Sequence, residues 1–201
     1  GKPADMTKPV KVFIVMGQTN TLQFSKVAGG EGSLDHAAKT EKLYPFLVDD
    51  AGNWTTRQDV RQVHVMGSGG PGKTNFQRNA WLTVNKKIGI DTGAGHHLGN
   101  YFDEPVMVLR SSIGNRSLGW DLLPPGTPRY SHNGVESAGY KETVQSKKDK
   151  TIVPWVKDGD MLQWYAGLQY DGDVARAKEV LSDLGKYYPG ATEYEIAGFI
   201  W

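Results

Sequence analysis

Cysteine is absent from the chain. That excludes disulfide stapling, thiolate chemistry and cysteine-ligated zinc. Net charge is nearly absent as well: 23 Lys and Arg against 22 Asp and Glu leave +1 at pH 7, which gives no electrostatic attraction for nucleic acid or an anionic membrane. No run approaches the roughly 20 apolar residues that cross a bilayer. No signal-peptide pattern opens the sequence, and Gly1 reads as a residue left by cleavage or by a tag. Glycine, by contrast, is plentiful at 25 of 201 residues, which predicts many turns. With 38% hydrophobic and 22% charged residues, the composition is that of a globular chain. Its length suits one domain spanning 1–201.

The strongest local signal is VKVFIVMGQTN, Val10 to Asn20. Apolar and β-branched side chains run from Val10 to Met16, interrupted only by Lys11. Such a run, closed by Gly17, predicts a strand buried on both faces in the middle of a parallel sheet. Gln18, Thr19 and Asn20 then stand just past the strand's carboxyl end, where open α/β sheets bind their ligands. PVMVLRSS, 105–112, repeats the pattern and runs into Ile113, Gly114, Asn115 and Arg116. Two apolar strands thus deliver a glycine and polar side chains to what the pattern predicts is one sheet edge. Helical signals between them suit right-handed β-α-β crossovers.

Elsewhere the signals are mixed. Residues 34–43 predict a short helix, 44–54 a short extended piece with a turn at Asp50–Gly52, and Val60, Val63 and Val65 a further strand ending at Met66. Residues 89–102 predict a helix whose Gly95 and Gly99 let another backbone approach. Residues 117–170 show no sustained period but hold Trp120, Tyr130, Tyr140, Trp155, Trp164 and Tyr165. So many rings argue for a long excursion with its own small aromatic core, or for a lid. The run Lys147–Lys150 reads as a solvated loop. Asp171 to Tyr188 predicts the best helix, with Val174, Ala177, Leu181 and Leu184 in one stripe, Asp171 and Asp173 favouring its N-terminus, and Pro189–Gly190 stopping it. YEIAGFIW, 194–201, predicts a third buried parallel strand. Since that is an unusual place for a domain to stop, the expectation is a fragment, or a second polypeptide completing the domain after Trp201.

Two motifs carry competing chemistry. GSGGPGKT, 67–74, matches the phosphate-loop pattern in full, with Gly67, Gly72, Lys73 and Thr74 in place, so a nucleotide-binding loop is one expectation. The following NFQRNAWLTVNKK is a poor helix former, which favours a surface loop. His96 and His97 are adjacent, hence about 100 degrees apart on a helix. They cannot ligate one metal from a single face, so the expectation is one packed and one exposed histidine and no metal site.

FIVMGQTN resembles the nucleophile segment of the SGNH/GDSL hydrolase superfamily, in its sialate O-acetylesterase-like branch, whose members carry G-Q-S-N after the first strand. SSIGNRSLGW, 111–120, resembles the second conserved segment, whose glycine lies in the oxyanion hole, and EIAGFIW resembles the strand leading to the branch's W-Q-G-E-type segment. The resemblance implies an α/β fold, three-layer α/β/α with a central parallel sheet. It implies a carbohydrate acetylesterase acting on acetyl esters of sugars, with no cofactor. It places Thr19 at the nucleophile position and the backbone amides of Thr19 and Gly114 in the oxyanion hole, suited to charge developing on a carbonyl oxygen. Gln18, Asn20, Asn115 and Arg116 would line the mouth, with Trp120 stacked on a sugar ring. It also implies an extracellular or periplasmic protein whose partner is an acetylated saccharide.

Two departures stand out. Threonine replaces the serine nucleophile, and its methyl restricts χ1 and crowds the attacking oxygen. The family's Gln/Asn oxyanion side chain and its Asp-x-x-His have no counterpart up to Trp201, and no motif points to His36, His64, His96, His97 or His132 as the base that an internal threonine requires. Two functions follow: a carbohydrate acetylesterase impaired at Thr19, or a relative that binds a saccharide without turning it over.

Overall fold

The computed structural model describes residues 3–142 and 164–201; the lysine run Lys147–Lys150 and Trp155 lie outside them. In chain order the strands are β1 (Val10–Val15), β2 (Ser25–Lys26), β3 (Thr56–Met66), β4 (Asn75–Thr83), β5 (Lys87–Ile88), β6 (Val106–Ser111), β7 (Tyr130–His132), β8 (Val135–Ser137) and β9 (Tyr194–Ile200). The helices are α1 (Ile90–Tyr101), α2 (Leu168–Ser182) and α3 (Leu184–Tyr187). The protein is a mixed α/β molecule around one five-stranded sheet of order β4-β3-β6-β1-β9. All neighbours are parallel except β3 and β4, which pair antiparallel.

Side-chain alternation divides the core. Val10 and Val12 of β1, Val63 and Val65 of β3, and Met107 and Leu109 of β6 pack against Ala177, Val180, Leu181 and Leu184. Val15, Val60, Val106 and Val108 form a second cluster with Leu98 of α1 and Phe102 just beyond it. The period-2 geometry of strands therefore puts α2–α3 over one face and α1 over the other. Each such side chain, buried fully, contributes about 1.5–3 kcal/mol. The strands β1 and β6 at the centre are apolar on both faces for this reason.

Several expectations are corrected. The short helix expected at 34–43 ends sooner, its helical residues 34–40 closing in a π-helical turn, His36–Thr40. The long helix starts earlier, at Leu168, and breaks at Asp183 before α3. Its buried stripe includes Asp173 and Arg176 as well as Ala177 and Leu181, so Asp173 is a buried group and not a solvated partner of the helix dipole. Among the described residues β9 is an edge strand of the sheet, paired only with β1. Ile196, Phe199 and Trp201 are about half exposed there, with Tyr170 of α2 beside Trp201.

The 67–74 segment joins β3 to the antiparallel β4. A phosphate loop must open a helix, whose N-terminal amides hold the phosphate; here Asn75 begins a strand. The nucleotide-loop expectation fails on that geometry. Within the excursion, Trp120, Leu123, Ala138 and Ala166 form a small separate core; it holds one ring, and Tyr130 and Trp164 are exposed.

Candidate functional site

The site forms where β1 and β6, adjacent and parallel, end on the same side of the sheet. Gly17 turns the chain at φ +140°, and a Cβ there would come within 2.9 Å of the Thr21 methyl. Thr19–Thr21 then makes one 3-10 turn. The Thr21 hydroxyl is hydrogen-bonded to the Gln18 carbonyl and to the Ser112 hydroxyl, both at 2.7 Å. Beyond β6, Asn115 takes a left-handed conformation, φ +58°. Its backbone N–H donates to Thr19 Oγ1 at 3.1 Å. At Gly114 a Cβ would also stand 3.1 Å from Thr19 Oγ1, so a larger residue there would crowd the hydroxyl by a few tenths of an ångström. The two turns singled out in the sequence therefore meet, and Thr19, half-buried, is the point of contact.

The amides differ from expectation. The Thr19 N–H donates to the Gln18 side-chain carbonyl at 2.5 Å, so it is already engaged. The amide aimed at the Thr19 hydroxyl is that of Asn115, one residue past Gly114. Asn20 is exposed and lines two hollows, about 250 Å³ and about 320 Å³. Trp201 borders the second.

Arg116 is held by neutral acceptors. It donates to Gln169 Oε1 at 3.1 Å, to the Asn115 carbonyl at 2.9 Å and to Ser68 Oγ at 2.7 Å. With Ser68, Asp121, Trp164 and Gln169 it lines a third hollow of about 140 Å³. Trp120 does not face any of these spaces. It is only 2% exposed and its indole N–H donates to the Trp164 carbonyl, so the expected sugar platform is a core residue. The half-exposed ring beside Arg116 is that of Trp164.

Gln169 and Arg176 fasten the β3–β4 loop beside Arg116. Gln169, 1% exposed, accepts from the Gly69 N–H and donates to the Gly67 carbonyl and Asp173 Oδ1. Arg176 donates to the Gly69 and Gly70 carbonyls and to Asp173. Burial pushes the Asp173 carboxyl up to about 7, against the opposing effects of Gln169 and Arg176.

Comparison with family models, with curated proteins and with solved structures returned no match to this chain.

Beneath the Thr19 turn lies a buried charged cluster. Arg110 on β6 donates to the Thr21 carbonyl at 2.8 Å and to Asp91 of α1 at 3.4 Å. Asp91 also accepts from Gln23 and Gln62. Arg110 donates as well to His64 Nδ1 at 3.2 Å, which puts the imidazole proton on Nε2. Burial first, and the Arg110 charge second, push His64 down to about 3. His64 is thus neutral and committed to the cluster. His96 is buried and pushed down to about 4 by burial and by Arg57, while His97 is exposed, as the helical spacing predicts. His36 pairs with Glu41 at 3.2 Å, and His132 sits on the exposed β7–β8 hairpin beside Asn133. Among the described residues no histidine hydrogen-bonds to Thr19, and no group of three or more His, Asp or Glu is placed to hold a metal ion.

Sequence reasoning missed Arg110, Asp91, Gln169 and Arg176. The one available signal was Arg110 itself, a charge inside the apolar run VMVLRSS.

Proposed function

We propose that this chain is a carbohydrate O-acetylesterase-like hydrolase of the SGNH type, with a three-layer α/β/α fold, in which Thr19 occupies the nucleophile position. The observation that carries this reading is the Asn115 N–H donating to Thr19 Oγ1 at 3.1 Å, across the carboxyl ends of two adjacent parallel strands. A hydroxyl that accepts an amide hydrogen bond keeps its own proton available for a base. In acyl transfer Thr19 Oγ would attack the acetyl carbonyl as its proton passes to a general base, with backbone N–H groups of the 113–116 turn facing the oxyanion. Asn20 and Arg116 line hollows that suit saccharide hydroxyls. The threonine methyl restricts attack, so turnover is slow.

The test is hydrolysis of acetylated sugars by the wild type, Thr19→Ser and Thr19→Ala. Thr19→Ser raises the rate at least about tenfold, about 1.4 kcal/mol of barrier, and Thr19→Ala abolishes it. The Gln18 carbonyl on the Thr19 amide favours a second reading, a saccharide binder without turnover. In that case neither Thr19 nor the serine variant hydrolyses the ester, yet calorimetry with the sugar still shows binding that Arg116→Ala weakens.

A further inference from the structure

Arg110 is 1% exposed, and a guanidinium in that position is costly unless its partners reward it. Its partners are unequal to its charge. Asp91 is the one carboxylate in the cluster, 3.4 Å away, and it is shared with Gln23 and Gln62. Arg78, half-buried, also acts on Asp91 from the side of β4. His64, the remaining titratable neighbour, is held neutral. The groups facing the cluster from β3, β4, β6 and α1 therefore leave one positive charge in excess.

Of these groups, Arg110 is the one that holds the turn carrying the candidate nucleophile. Arg110 Nη1 holds the carbonyl of Thr21, the last residue of the 3-10 turn that begins at Thr19. Thr21 in turn is hydrogen-bonded to Ser112, two residues before Gly114. The same guanidinium thus fastens both halves of the site, the Thr19 turn directly and the Gly114–Asn115 turn through β6 and Ser112. A fixed cation behind backbone amides that face a reacting oxygen is an arrangement that favours negative charge at that oxygen, more so in a water-poor interior.

We propose that Arg110 is a positioning residue for Thr19: it locks the Thr19–Thr21 turn against the Asn115 amide and biases position 19 toward carrying negative charge, with Asp91 opposing it. The inference rests on the reading of Thr19 as the reactive position, but its test does not require turnover. Because the chain has no cysteine, Thr19→Cys introduces a single thiol at the point of interest. Its ionisation is read from thiolate absorbance and from the pH dependence of iodoacetamide alkylation.

The expected result has three parts. In the Thr19→Cys protein the thiol ionises at least about one pH unit below the ordinary value near 8.5. Adding Arg110→Met raises that pKa by at least about half a unit, roughly a threefold loss of thiolate below it. Adding Asp91→Asn instead lowers it further. Opposite signs from two members of one buried pair are not produced by general loosening of the fold. Thermal melts accompany each variant, and if Arg110→Met does not fold, the direction of the Asp91→Asn shift decides alone. A thiol pKa at or above the ordinary value, or one that Asp91→Asn raises or leaves unmoved, overturns the proposal. Failure of Thr19→Ser to hydrolyse esters would instead count against the catalytic reading, so the two failures are distinguishable.

Discussion

At the residue scale, three buried titratable groups make stability depend on pH. His64 and His96 are pushed down from 6.5 to about 3 and about 4, so the unfolded chain binds their protons first as pH falls below 6.5. Asp173 is pushed up from 3.8 to about 7, so there the folded chain binds first, and its contribution is full at low pH and lost as pH rises through 7. Between pH 4 and 6.5 the two histidines outweigh the one carboxyl, and stability falls with acidification by roughly 1.4 kcal/mol per pH unit for the one proton in excess. His96→Gln should flatten that slope, and Asp173→Asn should steepen it; urea titrations across this range check both. The histidine split was legible in sequence, because adjacent residues on a helix cannot share a face. The burial of Asp173 was not, since an aspartate in a helix's first turns reads as a dipole partner until the neighbouring loop is known to cover it.

At the element scale, glycine decides how closely the β3–β4 loop meets α2. A Cβ at Gly172 would fall 2.0 Å from the Gly69 carbonyl oxygen. Gly172→Ala gains about 1 kcal/mol of helix propensity, yet it must displace backbone that Gln169 and Arg176 hold by several hydrogen bonds. The clash wins, and we expect a net loss of about 2–4 kcal/mol in denaturant unfolding; a neutral or stabilising result would mean that the loop yields freely. Gly198 is the matching case in β9, where a Cβ would meet the Phe13 ring at 2.7 Å. Strands β1 and β6 were plain in the sequence because both faces are buried, which leaves an unbroken apolar run. β4 was not, because NFQRNAWLT lies at a sheet edge with most of its side chains exposed or half-exposed, and its polar residues hid both the strand and the hairpin that rules out a phosphate loop. The break at Asp183 had no signal in the apolar stripe, which continues through Leu184.

At the scale of the whole molecule, the sheet is covered unevenly. α1 and α2–α3 shield its centre, whereas β9 is an edge strand among the described residues, with Ile196, Phe199 and Trp201 partly exposed. Bare edges with apolar side chains associate. Light scattering should show concentration-dependent association that Ile196→Lys together with Phe199→Lys reduces; scattering unchanged by these substitutions would show that the edge is inert. The coarse architecture, a mostly parallel sheet delivering two polar turns to one end, was readable from the two apolar runs and the glycines after them. The charged floor beneath those turns was not, because Asp91, Arg110 and His64 come from three separate elements and meet only on folding.

The central claim is that position 19 is the reactive centre of an ester-hydrolase site. Intact mass after treatment with a fluorophosphonate probe tests it most directly, on the wild type and on Thr19→Ser. One adduct is expected, faster on the serine variant, mapped by peptide digestion to residue 19 and absent from Thr19→Ala. No adduct on either protein, or an adduct elsewhere in the chain, would contradict it.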